Sequence, residues 1–189
     1  MRFYKPLISY ILLLFLMTGC SFGIKNPWGG SSASHSSSPS PVSTKPSSKP
    51  NLILAAEKKA TPQGRKVLST GRKMIENELI LPGGCWDYIN EVYNRAGYPN
   101  TRQKRKTVFK GTKNKGPYVN VSLIQPGDFL YYINHSYGDI EHSGIFVDWV
   151  DFKNKEAMIL SYGGENRRQP ARYLPYDLSH VYNIIRATN

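Results

Sequence analysis

The sequence contains few cysteines and few acidic residues. Its two cysteines, Cys20 and Cys85, exclude a network of disulfide bonds. The 13 acidic residues face 25 lysines and arginines, which gives a formal net charge of +12. A surface with this charge favours anionic partners, such as lipid headgroups, acidic polymers or nucleic acid.

The N-terminus holds an apolar run that is too short for a comfortable membrane span. The run covers residues 7–17. Arg2 and Lys5 precede it, and small residues follow it. That order is typical of a secretory signal peptide. The run leads into LMTGC, which ends at Cys20 and resembles a bacterial lipoprotein signal. The resemblance implies a signal peptide over residues 1–19 and lipid on Cys20, and the alternative is an ordinary signal peptide with a chance cysteine.

Lipid on Cys20 would anchor the protein in the bacterial cell envelope without spanning the bilayer. Ser21 is not an acidic inner-membrane retention residue, which by the lipoprotein resemblance favours an outer membrane and the periplasm. This compartment argues against nucleic acid as a partner. Half of the residues at 31–50 are serine, so we expect a flexible tether over residues 20–54. His35 lies in this tether.

The remaining residues, 55–189, are enough for one domain. Apolar spacing predicts a helix over residues 61–79, although Gly71 interrupts its apolar stripe, then a turn at residues 82–84. A second helix is expected over residues 85–96. Its apolar face carries Cys85, Ile89, Val92 and Ala96.

The segment at residues 100–119 is strongly basic and predicts a solvated loop, with or without a short helix; contact with anionic lipid or wall polymer is the alternative. Further along the chain, β-branched and aromatic residues predict four strands. They are expected at residues 128–133, 142–150, 157–162 and 181–187. Because helices come first and strands follow, we expect an α+β domain with helices on one face of an antiparallel sheet.

Cys85 is the candidate nucleophile. It lies at the start of its helix, where the helix dipole favours a thiolate. A lone cysteine on an apolar face is also a common core residue, so packing is the alternative. A nucleophilic thiol requires a nearby base, for which His142 is the first candidate and His135 the second. His180 is expected to be structural or exposed.

The sequence indicates no cofactor, and its cysteine, histidine and acidic residues show no recognisable metal-ligand spacing. The residue that would orient His142 is expected near the end of the third predicted strand. The candidates are Ser161, Tyr162, Glu165 and Asn166.

Three segments resemble, in order, the NlpC family of papain-like cell-wall cysteine peptidases. They are CWDYINEVYNRAG at residues 85–97, PGDFLYY at residues 126–132 and HSGIFV at residues 142–147. The resemblance implies a papain-like fold, with Cys85 as nucleophile and His142 as base.

The sequence departs from that family at two points. The family usually has Asp-Cys-Ser-Gly at the nucleophile, where this chain has Gly-Cys-Trp-Asp around Cys85. The family's third residue is often a histidine, and the matching position falls near Ser161 or Tyr162. Glu165 and Asn166 fit the related cysteine, histidine-dependent amidohydrolase pattern instead.

Three functions follow as hypotheses. The first is a membrane-anchored cysteine hydrolase that cleaves amide bonds, with peptidoglycan stem peptides as the substrate that the resemblance implies. The second is a binding or structural lipoprotein of the same fold without catalysis. The third is a Cys-His amidase or acyltransferase that acts on lipid or small amides. The oligomeric state is left open.

Overall fold

The computed structural model describes residues 49–189. The expected signal peptide, the lipidated Cys20 and most of the tether lie outside the described residues. The described part folds into three helices and six strands. The helices are α1 (Lys49–Lys59), α2 (Pro62–Glu76) and α3 (Cys85–Arg95).

The start of α1 differs from the expected boundary between tether and domain. The helix begins at Lys49, six residues before the predicted start at residue 55. Ile53 and Ala56 of α1 are buried in the core. The ordered domain therefore includes the last residues that the sequence assigned to the tether.

The other two helices form close to where the sequence predicts them. Thr61 accepts a hydrogen bond from the Gly64 amide at 3.1 Å and caps α2, whose first residue is a proline. At the start of α3, the Asp87 carboxylate accepts a hydrogen bond from the Gly84 amide at 2.8 Å. This contact fixes the N-terminal turn of α3, because it satisfies an amide that has no partner within the helix.

The six strands form one antiparallel sheet in the order β1-β6-β2-β3-β4-β5. All four predicted strands are confirmed, and so is the α+β class. The strands are β1 (Arg105–Lys110), β2 (Phe129–Asn134), β3 (Ile140–Asp151), β4 (Glu156–Ser161), β5 (Arg172–Asp177) and β6 (Val181–Ala187).

The prediction of a basic loop at residues 100–119 is wrong in part, because β1 lies inside it. This strand pairs with β6 at the edge of the sheet, with Arg105 opposite Ala187. Most of its side chains are exposed or half-buried, which suits an edge strand whose charges hinder pairing with another chain. The sequence also missed β5, which forms the opposite edge.

The sheet separates two apolar layers. The helix-side layer lies between the helices and the sheet and includes Ile89, Val92, Ile145 and Leu160. The opposite layer covers the other face of the sheet. It includes Leu130, Tyr132, Phe146, Ile159 and Ile184.

Polar contacts of Tyr93 and Arg105 seat α3 on this sheet. The Tyr93 hydroxyl donates a hydrogen bond to the Gly127 carbonyl at 2.6 Å. The Arg105 guanidinium lies 4.9 Å from the centre of the Tyr93 ring. It also donates to the side-chain oxygens of Asn90 and Asn94 at 2.8 and 2.9 Å. Strand β1 therefore holds the C-terminal half of α3.

Replacing Arg105 by methionine should destabilise the protein. The substitution leaves the asparagine oxygens and the Tyr98 carbonyl without their donor, which should cost about 2–3 kcal/mol of unfolding free energy. Urea denaturation followed by circular dichroism measures this loss. Arg102→Met is the matched control, because Arg102 is exposed. Equal denaturation midpoints for the two variants would contradict the structural role of Arg105.

Candidate functional site

A cavity of about 460 Å³ opens at the end of the sheet where β3 begins and β4 ends. Its lining includes the main candidates from the sequence and two residues that the sequence did not indicate. These residues are Cys85, His142, Ser161, Tyr162, Arg167 and Tyr176. The structure therefore brings the predicted thiol and imidazole to one site.

Cys85 is the first residue of α3 and is half-buried. The preceding turn passes through Gly83, which has a φ of +92°. A side chain at that position would collide with the Asp87 carboxylate, so the turn requires glycine. The Gly83 carbonyl accepts a hydrogen bond from the Glu165 amide at 3.0 Å. The loop after β4 therefore contacts the turn that presents Cys85.

Tyr162 fixes the same turn from the end of β4. Its hydroxyl donates to the Leu81 carbonyl at 2.7 Å and accepts from the Leu81 amide at 3.2 Å. Its ring stacks on Tyr88 of α3, with the ring centroids 4.5 Å apart. Tyr162 thus connects β4 to the chain on both sides of Cys85.

The thiol also has aromatic neighbours on the helix side of the sheet. The Trp86 indole donates a hydrogen bond to the Tyr131 hydroxyl at 2.6 Å. Burial raises the pKa values of Tyr131 and Tyr182, and the nearby Cys85 contributes a smaller increase to each. These rings form an aromatic wall beside the N-terminus of α3.

His142 lies on β3 and is hydrogen-bonded to Ser161 of β4. The distance from Nε2 to the Ser161 Oγ is 2.8 Å. The Ser161 Oγ lies 2.9 Å from the Tyr176 hydroxyl on β5. The imidazole also packs against the rings of Tyr132 and Tyr176, at centroid distances of 5.5 and 5.6 Å.

The thiol and the imidazole reach the cavity from different sides of the sheet. His142 is directly opposite Tyr132 in the ladder between β2 and β3, so both side chains share a face. Tyr132 belongs to the opposite layer, whereas α3 packs on the helix-side layer. Within residues 49–189, no hydrogen bond joins Cys85 to His142, whose Nε2 is bonded to Ser161.

Burial and, to a lesser extent, the positive charge of Arg167 lower the pKa of His142 to about 4. The imidazole is therefore neutral at pH 7. An unfolded histidine titrates near pH 6.5, so the unfolded chain binds a proton that the folded chain does not between about pH 6.5 and 4. The free energy of unfolding therefore falls as the pH falls through that window, because protonation of the His142 imidazole favours the unfolded chain.

Two arginines give the cavity a positive rim. Arg167 and Arg172 line it, and the Arg167 guanidinium lies 5.3 Å from the centre of the Tyr137 ring. Neither arginine forms a salt bridge with a carboxylate of residues 49–189. Glu141 is an acidic residue in the same lining. Such a rim can bind the carboxylate of a ligand.

The remaining sequence candidates lie elsewhere. Glu165 and Asn166 belong to a short 3-10 helix, Glu165–Arg167, and both side chains are exposed. His135 is bonded to Asp139 at 2.7 Å and to His180 at 2.8 Å, in a separate polar cluster. His135 therefore has partners of its own, away from Cys85.

Sequence reasoning missed Arg167 and Tyr176. Tyr176 lies on β5, a strand that the sequence did not indicate, so no register placed its hydroxyl beside Ser161. Arg167 ends the short 3-10 helix of the connection between β4 and β5, whose path sequence periodicity does not encode. Residues 163–167 follow directly after a predicted strand. Because binding residues often lie in such connections, this position is the signal in the sequence for Arg167.

The described part of the chain contains no group of three or more histidine, cysteine or acidic side chains placed to hold a metal ion. Among helices α1 to α3, none is long and apolar enough to cross a membrane. Comparisons of the chain with protein-family models, curated proteins and solved structures find no match.

Replacing Arg167 by glutamine should raise the pKa of His142 above about 4, because a positive charge near the imidazole is removed. The pKa should stay below 6.5, since the larger cause, burial, remains. Histidine NMR resonances of the full-length chain, followed against pH, measure this value.

Arg168→Gln is the matched control for this titration. Arg168 is the next residue in the chain, is exposed and does not line the cavity. The control should leave the pKa of His142 unchanged. An unchanged pKa in Arg167→Gln as well would show that Arg167 does not act on the imidazole.

Proposed function

We propose that the protein is a cysteine hydrolase of the papain-like, NlpC type that cleaves amide bonds. Cys85 is the nucleophile, His142 the base and Ser161 the residue that orients the imidazole. The observation that carries this proposal is the shared cavity: it is lined by the thiol at a helix N-terminus and by an imidazole hydrogen-bonded to Ser161. A thiol, a base and an orienting group in one site are the parts of a nucleophilic mechanism.

In the proposed reaction, His142 takes the thiol proton and the Cys85 thiolate attacks the amide carbonyl. Collapse of the tetrahedral intermediate breaks the C–N bond, and the imidazolium gives its proton to the departing amine. Water then attacks the thioester, with His142 as base, and releases the acid and the free thiol. The amide of Cys85, at the N-terminus of α3, is available to stabilise the oxyanion.

The nitrogen that takes the proton is Nδ1, because Nε2 is bonded to Ser161. The thiol and the imidazole are not hydrogen-bonded to each other in this structure, so one of them must move within the cavity when substrate binds. Contacts of this kind often become shorter only in the complex with substrate.

We infer that the substrate is an anionic peptide, with a peptidoglycan stem peptide as the first candidate. Arg167 and Arg172 on the cavity rim support a substrate with carboxylates. The net charge of +12 is consistent with an acidic wall polymer as partner. A lipid on Cys20 would hold the enzyme at the membrane, within reach of the wall.

A second candidate function is ligand binding without catalysis. The observation that favours it is that His142 is hydrogen-bonded to Ser161 rather than to Cys85, on the face of the sheet away from α3. In that case the cavity would bind an anionic peptide through its arginines, and the thiol would have no chemical role.

Replacing Cys85 by alanine should abolish hydrolysis of purified peptidoglycan, with a loss of roughly 10³-fold or more, because the nucleophile is removed. Newly released amino groups measure the reaction. Cys20→Ala is the matched control, since it removes the other cysteine and should retain activity in solution. Full activity in Cys85→Ala, with a native circular dichroism spectrum, would end the proposal.

Iodoacetamide labelling against pH separates the two candidate functions. The full-length chain with Cys20→Ser carries Cys85 as its one thiol. Rapid labelling near neutral pH that slows in His142→Ala supports a Cys-His pair and the hydrolase. Slow labelling that the second substitution leaves unchanged supports the binding protein.

A further inference from the structure

A basic edge borders the sheet on the side opposite to β5. It consists of six exposed cationic residues that lie on β1 or on the chain directly before and after this strand. These residues are Arg102, Lys104, Lys106, Lys110, Lys113 and Lys115. Because β1 is the outermost strand, the described part of the chain adds no strand beyond them.

The charges of the basic edge are not neutralised within the described residues. None of the salt bridges among residues 49–189 includes one of the six side chains. The sequence has no acidic residue between Glu91 and Asp128. The Asp128 carboxylate is itself buried and accepts a hydrogen bond from Arg186 at 2.7 Å. The basic edge therefore presents a row of cations to solvent without carboxylate partners.

Protection of the edge strand explains only part of this charge. Lysines on an edge strand hinder pairing with another chain, and the two lysines of β1 can serve that purpose. The other four cations lie outside the strand. Arg102 and Lys104 precede it, and Lys113 and Lys115 lie in the turn that follows it. These four require another explanation.

The cations occupy both faces of the sheet edge. Arg105 projects toward α3, where it contacts Asn90, so the next residue, Lys106, projects to the other face. Phe109 packs in the opposite layer, so Lys110 projects to the helix side. A flexible polymer can follow such a ridge and contact both of its sides, whereas a flat lipid surface contacts one side at a time.

One row of residues across the sheet connects the basic edge to the candidate active site. Lys110 is opposite Asn183 of β6. Asn183 is opposite Tyr131 of β2, which is opposite Ser143 of β3. Neighbouring strands lie about 4.8 Å apart, so roughly 14 Å separates the two ends of this row. About four extended residues span this distance. The row passes the aromatic wall beside Cys85, so a polymer on the basic edge can also reach the cavity.

We propose that the basic edge is a docking surface for an acidic linear polymer, which it holds beside the cavity. Lysine ammonium groups are flexible point charges, so the surface recognises anionic groups repeated along a chain rather than one fixed ligand geometry. That the docked polymer is also the substrate rests on the proposed function. The binding itself does not rest on it.

Sedimentation with purified, insoluble peptidoglycan tests the binding. The full-length chain carries Cys20→Ser and Cys85→Ala, so that cleavage does not interfere, and the fraction of protein in the pellet gives the Kd. Added salt should weaken the binding, because exposed charges are screened.

The edge variant replaces four lysines by glutamine and retains Lys106, whose charge acts on the buried Asp128 carboxylate. The four substituted residues are Lys104, Lys110, Lys113 and Lys115. The Kd for peptidoglycan should rise about tenfold, because the contributions of four exposed ion pairs are lost. An unchanged Kd would overturn the docking surface.

The matched control removes the same charge from other surfaces of the protein. It replaces four exposed lysines outside the basic edge, namely Lys58, Lys73, Lys153 and Lys155. The Kd of this control should change less than twofold. An equal loss in both variants would show that binding follows net charge alone, and it would overturn the docking surface.

A smaller pair of variants applies if the edge variant does not fold. Lys113 and Lys115 lie in the turn after β1, and Lys153 and Lys155 lie in the turn after β3. Replacing the first pair by glutamine should raise the Kd about threefold, and replacing the second pair should not. Equal effects of the two pairs would overturn the proposal.

Vesicles that contain phosphatidylglycerol test a lipid surface as the partner. The edge variant should lose affinity for peptidoglycan. A loss of vesicle binding with unchanged peptidoglycan binding would overturn the polymer and identify the basic edge as a membrane contact.

Hydrolysis by the chain that retains Cys85 separates this proposal from the proposed function. The edge variant should raise KM for peptidoglycan about tenfold and change kcat less than twofold, because the edge holds the polymer away from the reacting bond. Edge-dependent binding without hydrolysis by the unsubstituted chain would retain the docking surface and end the hydrolase. Hydrolysis with the same Kd in the edge and control variants would end the docking surface and retain the hydrolase.

Discussion

The geometry of the site depends on two neighbouring residues at the end of β4, Ser161 and Tyr162. Side chains alternate between the faces of a strand, so these two project in opposite directions. Tyr162 holds the turn before α3 through both backbone groups of Leu81 and stacks on Tyr88. Ser161 holds the imidazole of His142 on the other face. One dipeptide therefore sets the position of the thiol relative to the imidazole.

The close approach of β3 and β4 beside Ser161 requires a glycine on β3. Gly144 is opposite Ser161 in the ladder, and a methyl group there would lie 2.3 Å from the side chain of Ile159. His142, two residues before Gly144, is half-buried beside Ser161. Because that burial disfavours the charged ring, the imidazole stays neutral unless an anion reaches it. A thiolate of Cys85 would be such an anion.

The sequence predicted those parts of the fold that depend on apolar periodicity. Helix α3 and the four strands 129–134, 140–151, 156–161 and 181–187 carry clear patterns and were found. Strand β1 was missed because its lysines face solvent at the sheet edge, which in sequence is indistinguishable from a charged loop. Strand β5 contains Pro175, which argues against a strand except at an edge. Helix α1 was missed because it directly follows a serine- and proline-rich segment.

The sequence predicted some members of the candidate site but not its geometry. The sequence indicated Cys85 and His142, and it left Ser161 as one of four candidates for the third residue. Which layer His142 faces depends on the register between β2 and β3, and that register is a tertiary property. Side chains alternate between the two faces of each strand, and this alternation also explains the hydrogen bonds from His142 to Ser161 and from Ser161 to Tyr176. Since His142, Ser161 and Tyr176 share one face of three adjacent strands, each can reach the next, and a shift of one residue in any ladder would separate them.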